Sequence, residues 1–318
     1  MDHHLVRCLA GLLATWGAVG CAPGSAGRSP AAEAELLNRV TDAYPAYAPD
    51  GRRVAYMSNA DGDFDIYVLD YVQGTRVKLT DAPGDDGTPV WSPDGRRIAF
   101  RSFRDGRSQL YVMHADGSDP RNVSDNQWHD EHPFWSADGE RLLFASRRPR
   151  TVADTATFDL YHMRADGGDV RQVTRTPEVE TYPSWSPDGT RIVCRRILAD
   201  GDWAVVVMNA DGSDARVVAP HPAVDGWPVW SPDGERIAFA SERAGSSDLY
   251  IADLDTGELR RLTHDDDRDE RQPWWSPTGT AVVYAQYQWF DHPRFYEAAR
   301  LYVVPVAAAL RNRASVAP

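Results

Sequence analysis

Residues 129–132 read His-Asp-Glu-His, two imidazoles three positions apart with two carboxylates between them. Neutral imidazole and carboxylate oxygen both ligate divalent metals, and a metal held there would polarise a substrate or activate water. His129 and His132 are therefore the candidate metal ligands, although an H-x-x-H pair in a loop lacks the helical pitch that aims both rings at one ion. The other candidate loop histidines (His221, His264 and His292) have no spacing that assigns them to the same centre. The acid-rich stretches His264–Glu270 and Asn59–Asp65 depart from the ligand order and glycine position of an EF-hand and read as solvated charge. The sequence shows no G-x-S-x-G elbow, no phosphate-cradling glycine loop and no serine-histidine triad in a recognisable context. Catalytic residues are accordingly not assigned.

Two further sets of side chains recur around a repeated proline (Pro45, Pro89, Pro133, Pro183, Pro228 and Pro273). Three residues before each proline stands a carboxylate: Asp42, Asp86, Asp130, Glu180, Asp225 and Glu270. Six acids in equivalent places would form a ring, and like charges so close raise one another's pKa or recruit a divalent cation. The competing reading is that each acid caps backbone donors at the start of its strand. Directly before each proline come Tyr44, Thr88, His132, Tyr182, Trp227 and Gln272. Rings that stack beside groups that hydrogen-bond suit a peptide or a sugar.

The elements that must position these residues are repeats. YAPDG at Tyr47, WSPDG at Trp91, WSADG at Trp135, WSPDG at Trp185 and Trp230, and WSPTG at Trp275 follow one another at steps of 44, 44, 50, 45 and 45 residues. Such a period marks modules that bury their apolar faces on their neighbours. Each phrase is a proline-preset turn. Behind it comes a β-branched run such as RRIAFRS, then a second such as QLYVMH, a polar ADGS-type turn, and a third ending near threonine. With the segment before each tryptophan, this predicts four antiparallel strands per repeat. Six such sheets around an axis are an all-β, six-bladed β-propeller.

Proline cannot donate to a ladder, so the first strand should be the inner one, its free edge facing the channel. The tryptophans Trp91, Trp135, Trp185, Trp230 and Trp275 then read as packing wedges between blades. The sixth repeat stops one strand short, and Leu36–Thr41 matches the missing one. The N-terminal strand should therefore pair in blade six and close the ring.

The pattern P-x-W-S-P-D-G-x-x-I-A-F, D-L-Y-V-M-x-A-D-G-S and R-x-L-T resembles the TolB-like propeller repeat, which also occurs in tricorn-type and prolyl-oligopeptidase-type peptidases. The resemblance covers roughly Leu36 to Val306. It implies an isolated propeller over residues 36–306, without the α/β domain that precedes the propeller in TolB or the hydrolase domain of the peptidases. It also implies a binding or scaffold role at the cell envelope, because such proteins bind peptides or envelope proteins through the channel mouth. Some relatives, the oligogalacturonate lyases, are similar in fold but use histidines and a metal in the channel. A metal-dependent carbohydrate-active enzyme, or a glycan-binding propeller, is the alternative.

Hairpin topology sorts the loops onto two faces. The short, nearly identical SPDG and ADGS turns occupy one, and all length variation falls on the other, where binding usually resides. Two insertions stand out there. Repeat three carries Arg147, Arg148 and Arg150 in one; repeat six carries Trp289, Phe290, His292, Arg294, Phe295 and Tyr296 in the other. Three blades apart, a basic loop and an aromatic loop would face each other across the mouth. The candidate binding residues are thus Tyr44, His132, Tyr182, Trp227, Gln272, Trp289, Phe290 and Tyr296.

Residues 1–20, with Arg7 ahead of LAGLLATWGAVG, read as an export signal too short to span a bilayer stably. Ala18-Val19-Gly20-Cys21 resembles a lipobox, so Cys21 is the candidate lipidation site and residues 21–35 a flexible tether. With Ala22 following, this points to a periplasmic lipoprotein on the outer membrane; residues 307–318 form a short tail. A net charge of −13 argues against nucleic acid and against direct docking on anionic lipid. Cys194 takes the place of Phe100, Phe144 and Phe239 in sister repeats and should be a buried apolar residue. The expectation is a monomer without a resident cofactor.

Overall fold

The computed structural model describes residues 40–149, 157–290 and 295–307, with the backbone alone at 289–290 and 295–297. Each repeat folds into one antiparallel sheet whose strands run outward in sequence order. In the second repeat the inner strand Asp86–Trp91 pairs with Arg97–Ser102, that strand with Gln109–His114, and the last with the short outer strand Arg121–Asn122. The alternation of β-branched and aromatic residues with turn phrases gives this meander directly. Five sheets have four strands, and the sixth shows three among the described residues. Every inner strand packs against the inner strands of two neighbouring blades, the first against the sixth included. The fold is a closed six-bladed β-propeller.

The repeated phrase acts between blades as well as within them. In the turn at Trp91, the Ser92 hydroxyl donates to the Asp94 carboxylate at 2.6 Å and accepts the Arg97 N–H at 2.9 Å. Equivalent bonds recur at Ser136, Ser186 and Ser231. The hydroxyl of Ser186, with the Thr190 groups, holds the Asp188 carboxyl down at about 2. The turn glycine faces the turn proline of the preceding blade: Gly95 on Pro49, Gly139 on Pro93, Gly234 on Pro187, Gly279 on Pro232 and, completing the circle, Gly51 on Pro277.

All five repeat tryptophans are buried. Trp135 donates its indole N–H to the Val90 carbonyl of the blade before it at 3.2 Å, and Trp275 to Val229 at 3.3 Å. Arginines of the preceding blade cover three of the rings: Arg53, Arg97 and Arg191 each lie 4.6 Å from the ring centres of Trp91, Trp135 and Trp230. Cys194 is fully buried in an interblade cluster with Leu143, Leu160 and Met208.

The start of the described chain reaches the last blade. Thr41 forms an isolated parallel bridge with Ala299, and the Arg300 guanidinium bonds the Val40 carbonyl. Most of the segment expected to complete blade six (36–39) lies outside the described residues, as do the export segment, Cys21, the tether and 308–318.

Two expectations about the variable face change. The aromatic insertion of repeat six is a strand extension rather than a loop: Ala281–Phe290 and Phe295–Pro305 stay paired out to Phe290 and Phe295. Trp289, Phe290, Phe295 and Tyr296 have high strand propensity, so the ladder continues through them, and only 291–294, His292 and Arg294 among them, lie outside the described residues. In repeat three, Arg148 does not form a basic loop. It turns inward to Asp130 at 3.1 Å, while 150–156, with Arg150, lie outside the described residues.

The ADG turns make a second interblade contact that is testable. Gly167 has φ 92°, and a Cβ there would stand 2.3 Å from the Val123 carbonyl oxygen of the preceding blade. Gly201 has the same φ with nothing within 4 Å. Gly167→Ala should therefore cost about 2–4 kcal/mol and Gly201→Ala only the backbone strain of about 1 kcal/mol. Urea midpoints measure both; equal losses would show that blade-to-blade contact is not the cause.

Candidate functional site at the channel mouth

The site begins with a bulge repeated six times. In the first blade the inner-strand register passes from Ala43 opposite Met57 to Ala46 opposite Ala55, so two inner residues face one partner. The same slip occurs in the other five blades. The residue before the proline is left-handed every time: Tyr44, Thr88, His132, Tyr182, Trp227 and Gln272 have φ between 50° and 57°. That conformation costs a non-glycine residue roughly 1–2 kcal/mol. Proline offers no N–H to lose, and the strand edge faces the channel, so the bulge breaks no ladder.

These six residues, their prolines and the residues after five of the prolines line one cavity of about 530 Å³, solvent at its mouth included. Tyr44 and Tyr182 come from opposite blades and meet across the axis, hydroxyls 2.9 Å apart and rings stacked at 6.2 Å. The His132 ring lies 3.7 Å from Tyr182, and Trp227 lies 5.7 Å from Tyr182 on another side. Gln272 accepts the Tyr44 backbone N–H at 3.0 Å and donates to the Tyr287 hydroxyl at 2.8 Å. Trp289, Phe290 and Tyr296 belong to the extended hairpin of blade six, and their side chains lie outside the described residues.

Sequence reasoning overlooked the second layer. Phe134 and Trp274, also from opposite blades, approach to 5.6 Å and stand between this cavity and the tryptophan-lined funnel on the SPDG face. The signal was period two: residues i and i+2 of a strand share a face, so the residue after each proline follows the residue before it toward the axis.

The six acids do not form an open ring. Asp42, Asp86, Asp130, Glu180, Asp225 and Glu270 are all buried. Four meet an arginine: Asp86 with Arg104 at 2.8 Å, Asp130 with Arg148 at 3.1 Å, Glu180 with Arg196 at 2.6 Å and Asp225 with Arg243 at 2.9 Å. Arg104, Arg148 and Arg243 also lie over the Phe–Tyr pair of their own blade. Those four acids therefore face a guanidinium of their own blade rather than one another. A residue two beyond the serine of the second strand (S-x-R) carried the missing signal in three blades. Burial raises the Asp42, Asp86, Glu180 and Asp225 pKa values, while serine, threonine and arginine partners oppose it. Glu270 departs from the pattern, with Gln286 at 2.8 Å and Thr263 at 3.2 Å as its side-chain partners. Its carboxyl is pushed up to about 7, mainly by burial.

His129 and His132 are not brought to one centre. His129 Nδ1 accepts the Ser108 N–H at 3.4 Å, whereas His132 stands in the channel. Burial drives the His132 pKa well below its ordinary value, and the nearby Arg101 and Arg195 guanidinia push the same way. Two guanidinia beside the imidazole disfavour a divalent cation there, and no group of three or more metal-binding side chains is gathered among the described residues.

A closed propeller whose channel is crossed by paired rings at two levels defines the class. Residues 36–154 and 183–292 match the profile of the TolB beta propeller domain, and the chain belongs to that family. Among solved structures it resembles TolB from Acinetobacter baumannii, at 21% identity and TM-score 0.63 over 74% of this chain and 57% of that one. A putative TolB from Agrobacterium tumefaciens matches at 21% identity and TM-score 0.64, covering 83% of this chain and 90% of that one. An oligogalacturonate lyase in complex with manganese matches at 18% identity and TM-score 0.58, covering 84% and 91%. The chain thus spans little more than half the length of the Acinetobacter protein. No curated protein matches it in sequence. At these identities the likeness speaks for the fold, and function rests on the site.

Glu270 supplies a pH test. A buried acid with a folded pKa near 7 holds its proton between about pH 4.5 and 7 while the unfolded chain has released it. Its contribution is therefore greatest at low pH and is lost as pH rises through 7. Glu270→Gln should remove that decline, gaining on the wild type by on the order of 1–3 kcal/mol between pH 5 and 8. Thermal unfolding at both pH values decides it; parallel curves would place the carboxyl in an ordinary environment.

Proposed function

We propose that this protein is a non-enzymatic binding or scaffold protein of the cell envelope, holding a peptide segment of a partner at its channel mouth. The observation that supports this is the convergence of Tyr44, His132, Tyr182 and Trp227 on one cavity, with Gln272 hydrogen-bonded beside them. Aromatic faces with a few oriented polar groups bind side chains and backbone amides by stacking and hydrogen bonding. Burial keeps His132 neutral, and five of the six buried acids are bound to arginine or glutamine. The export-like residues 1–20 and Cys21 support a lipid-anchored location at the periplasmic side of the outer membrane.

The metal-dependent lyase reading, suggested by one structural neighbour, requires donors that the described channel residues do not gather. Trp227→Ala should weaken capture of envelope partners by cross-linking about thirtyfold or more, the loss of one central aromatic anchor. Trp289→Ala tests whether the extended hairpin shares the contact. Undiminished capture by Trp227→Ala, or turnover of polyuronides by the wild type, would sink the proposal.

A further inference from the structure

Four interior arginines stand near the ends of the inner strands with a carboxylate partner already described, but two others are left with spare donors. Arg101 lies opposite Gly87 and Arg195 opposite Thr181, each one residue before a left-handed channel residue. Neither has a carboxylate within ion-pair distance among the described residues, whereas Arg104, Arg148, Arg196 and Arg243 all do. Arg271, the nearest other cation to Trp227, is bound to Asp269 at 2.9 Å and Glu242 at 3.4 Å.

The fold makes room for both guanidinia. A Cβ at Gly87 would stand 3.1 Å from Arg101 Nη2, and one at Gly226 would stand 3.3 Å from Arg195 Cδ. Arg195 is fixed from several sides: its Nε–H donates to Thr181 Oγ1 at 3.0 Å, and its guanidinium lies 4.5 Å from the Tyr182 ring and 4.4 Å from Trp203. That leaves its Nη groups unassigned. Arg101 lies 5.0 Å from the Phe103 ring, and its buried Nε has no hydrogen-bond partner. Two cavity-lining polar atoms between them, Thr88 Oγ1 and His132 Nδ1, are likewise buried without a hydrogen-bond partner, the nearest carboxylate being Glu131 at 3.9 Å from His132 Nδ1. A partly buried cation without a counter-ion is costly, and a ligand carboxylate would relieve it through charge-assisted bonds.

The occupant can be narrowed. The channel is crossed by Tyr44–Tyr182 and again by Phe134–Trp274, so a chain cannot thread through it as it stands. A chain end can be received from one side. On the peptide-binding reading given above, we propose that Arg101 and Arg195, on either side of His132, form a subsite for the C-terminal carboxylate of a bound peptide. Tyr182 and Trp227 then contact its terminal side chain.

The test uses N-acetyl-Gly-Phe with a free carboxylate, the same dipeptide as its C-terminal amide, and digalacturonate, each titrated by tryptophan fluorescence against the whole protein. The free acid should bind about tenfold or more tighter than the amide, as expected for charge-assisted bonds. Arg101→Gln and Arg195→Gln should each shrink that ratio toward one, and Arg121→Gln, on an exposed arginine, should leave it unchanged. Near-UV circular dichroism checks that each variant keeps its packing. Equal binding of acid and amide would overturn the subsite while leaving the peptide reading intact. A ratio that survives both arginine replacements would do the same. Binding of digalacturonate in place of either dipeptide, or binding of none, would remove both.

Discussion

The architecture of the site depends on one backbone constraint, the left-handed residue held before each inner-strand proline. A strand with regular pleating would turn alternate side chains toward neighbouring blades and leave the axis lined by whatever remained. The bulge breaks that rhythm at the same place in six blades, and the side chain at the break projects into the channel. Proline makes the break inexpensive because no ladder bond is sacrificed. Closure makes it persistent, since each inner strand is gripped by two others and cannot relax alone. The backbone is therefore identical in all six sectors while the side chain is free to vary. Tyrosine, threonine, histidine, tryptophan and glutamine all occupy the position.

Directly above that layer the same strands must bury a charge. An acid three residues before the proline sits under the blade edge, where an unpaired carboxylate would be expensive. Arginine answers it in four blades, reaching from the end of the second strand or just beyond it, and in three of them it lies over that blade's aromatic pair. Replacing one partner alone would strand the other, so these pairs constrain the sequence more than they add to stability. Glu270 shows the alternative solution, a neutral amide partner and a carboxyl that tends to keep its proton.

The repeat period, the strand count and the identity of the channel-lining residues were legible because they are positional. Proline and the turn phrase mark the same place in every module, and Tyr44 to Gln272 fall out by counting back one residue. What counting could not supply was direction. The acids looked like a ring because their positions are equivalent, but the side chains turn into the blade body and find arginines on another strand. Arg148 looked like part of a basic loop because its neighbours are basic, yet it completes blade three's ion pair. The residues of repeat six looked like an insertion between strands, and strand propensity carried the pairing through them instead. Phe134 and Trp274 required counting forward as well as back.

Those two rings change what kind of recognition the fold allows. A propeller channel open at both ends can pass a strand or admit ligands from either face. Here bulky residues were placed on opposite blades at two levels, with smaller ones (Val90, Ser184 and Val229) lining other sectors of the lower level. A pair of large rings three blades apart spans the axis, whereas large rings in all six sectors would collide. The two faces of the disc are thereby separated. The SPDG face keeps a funnel of repeat tryptophans and turn prolines with Ser186 and Ser231 among them, and the cavity on the variable face keeps the histidine, the Tyr44 and Tyr182 rings and Gln272. The imidazole of His132 and the amide of Gln272 are thereby placed at one mouth, on the face where loop length and strand length also vary.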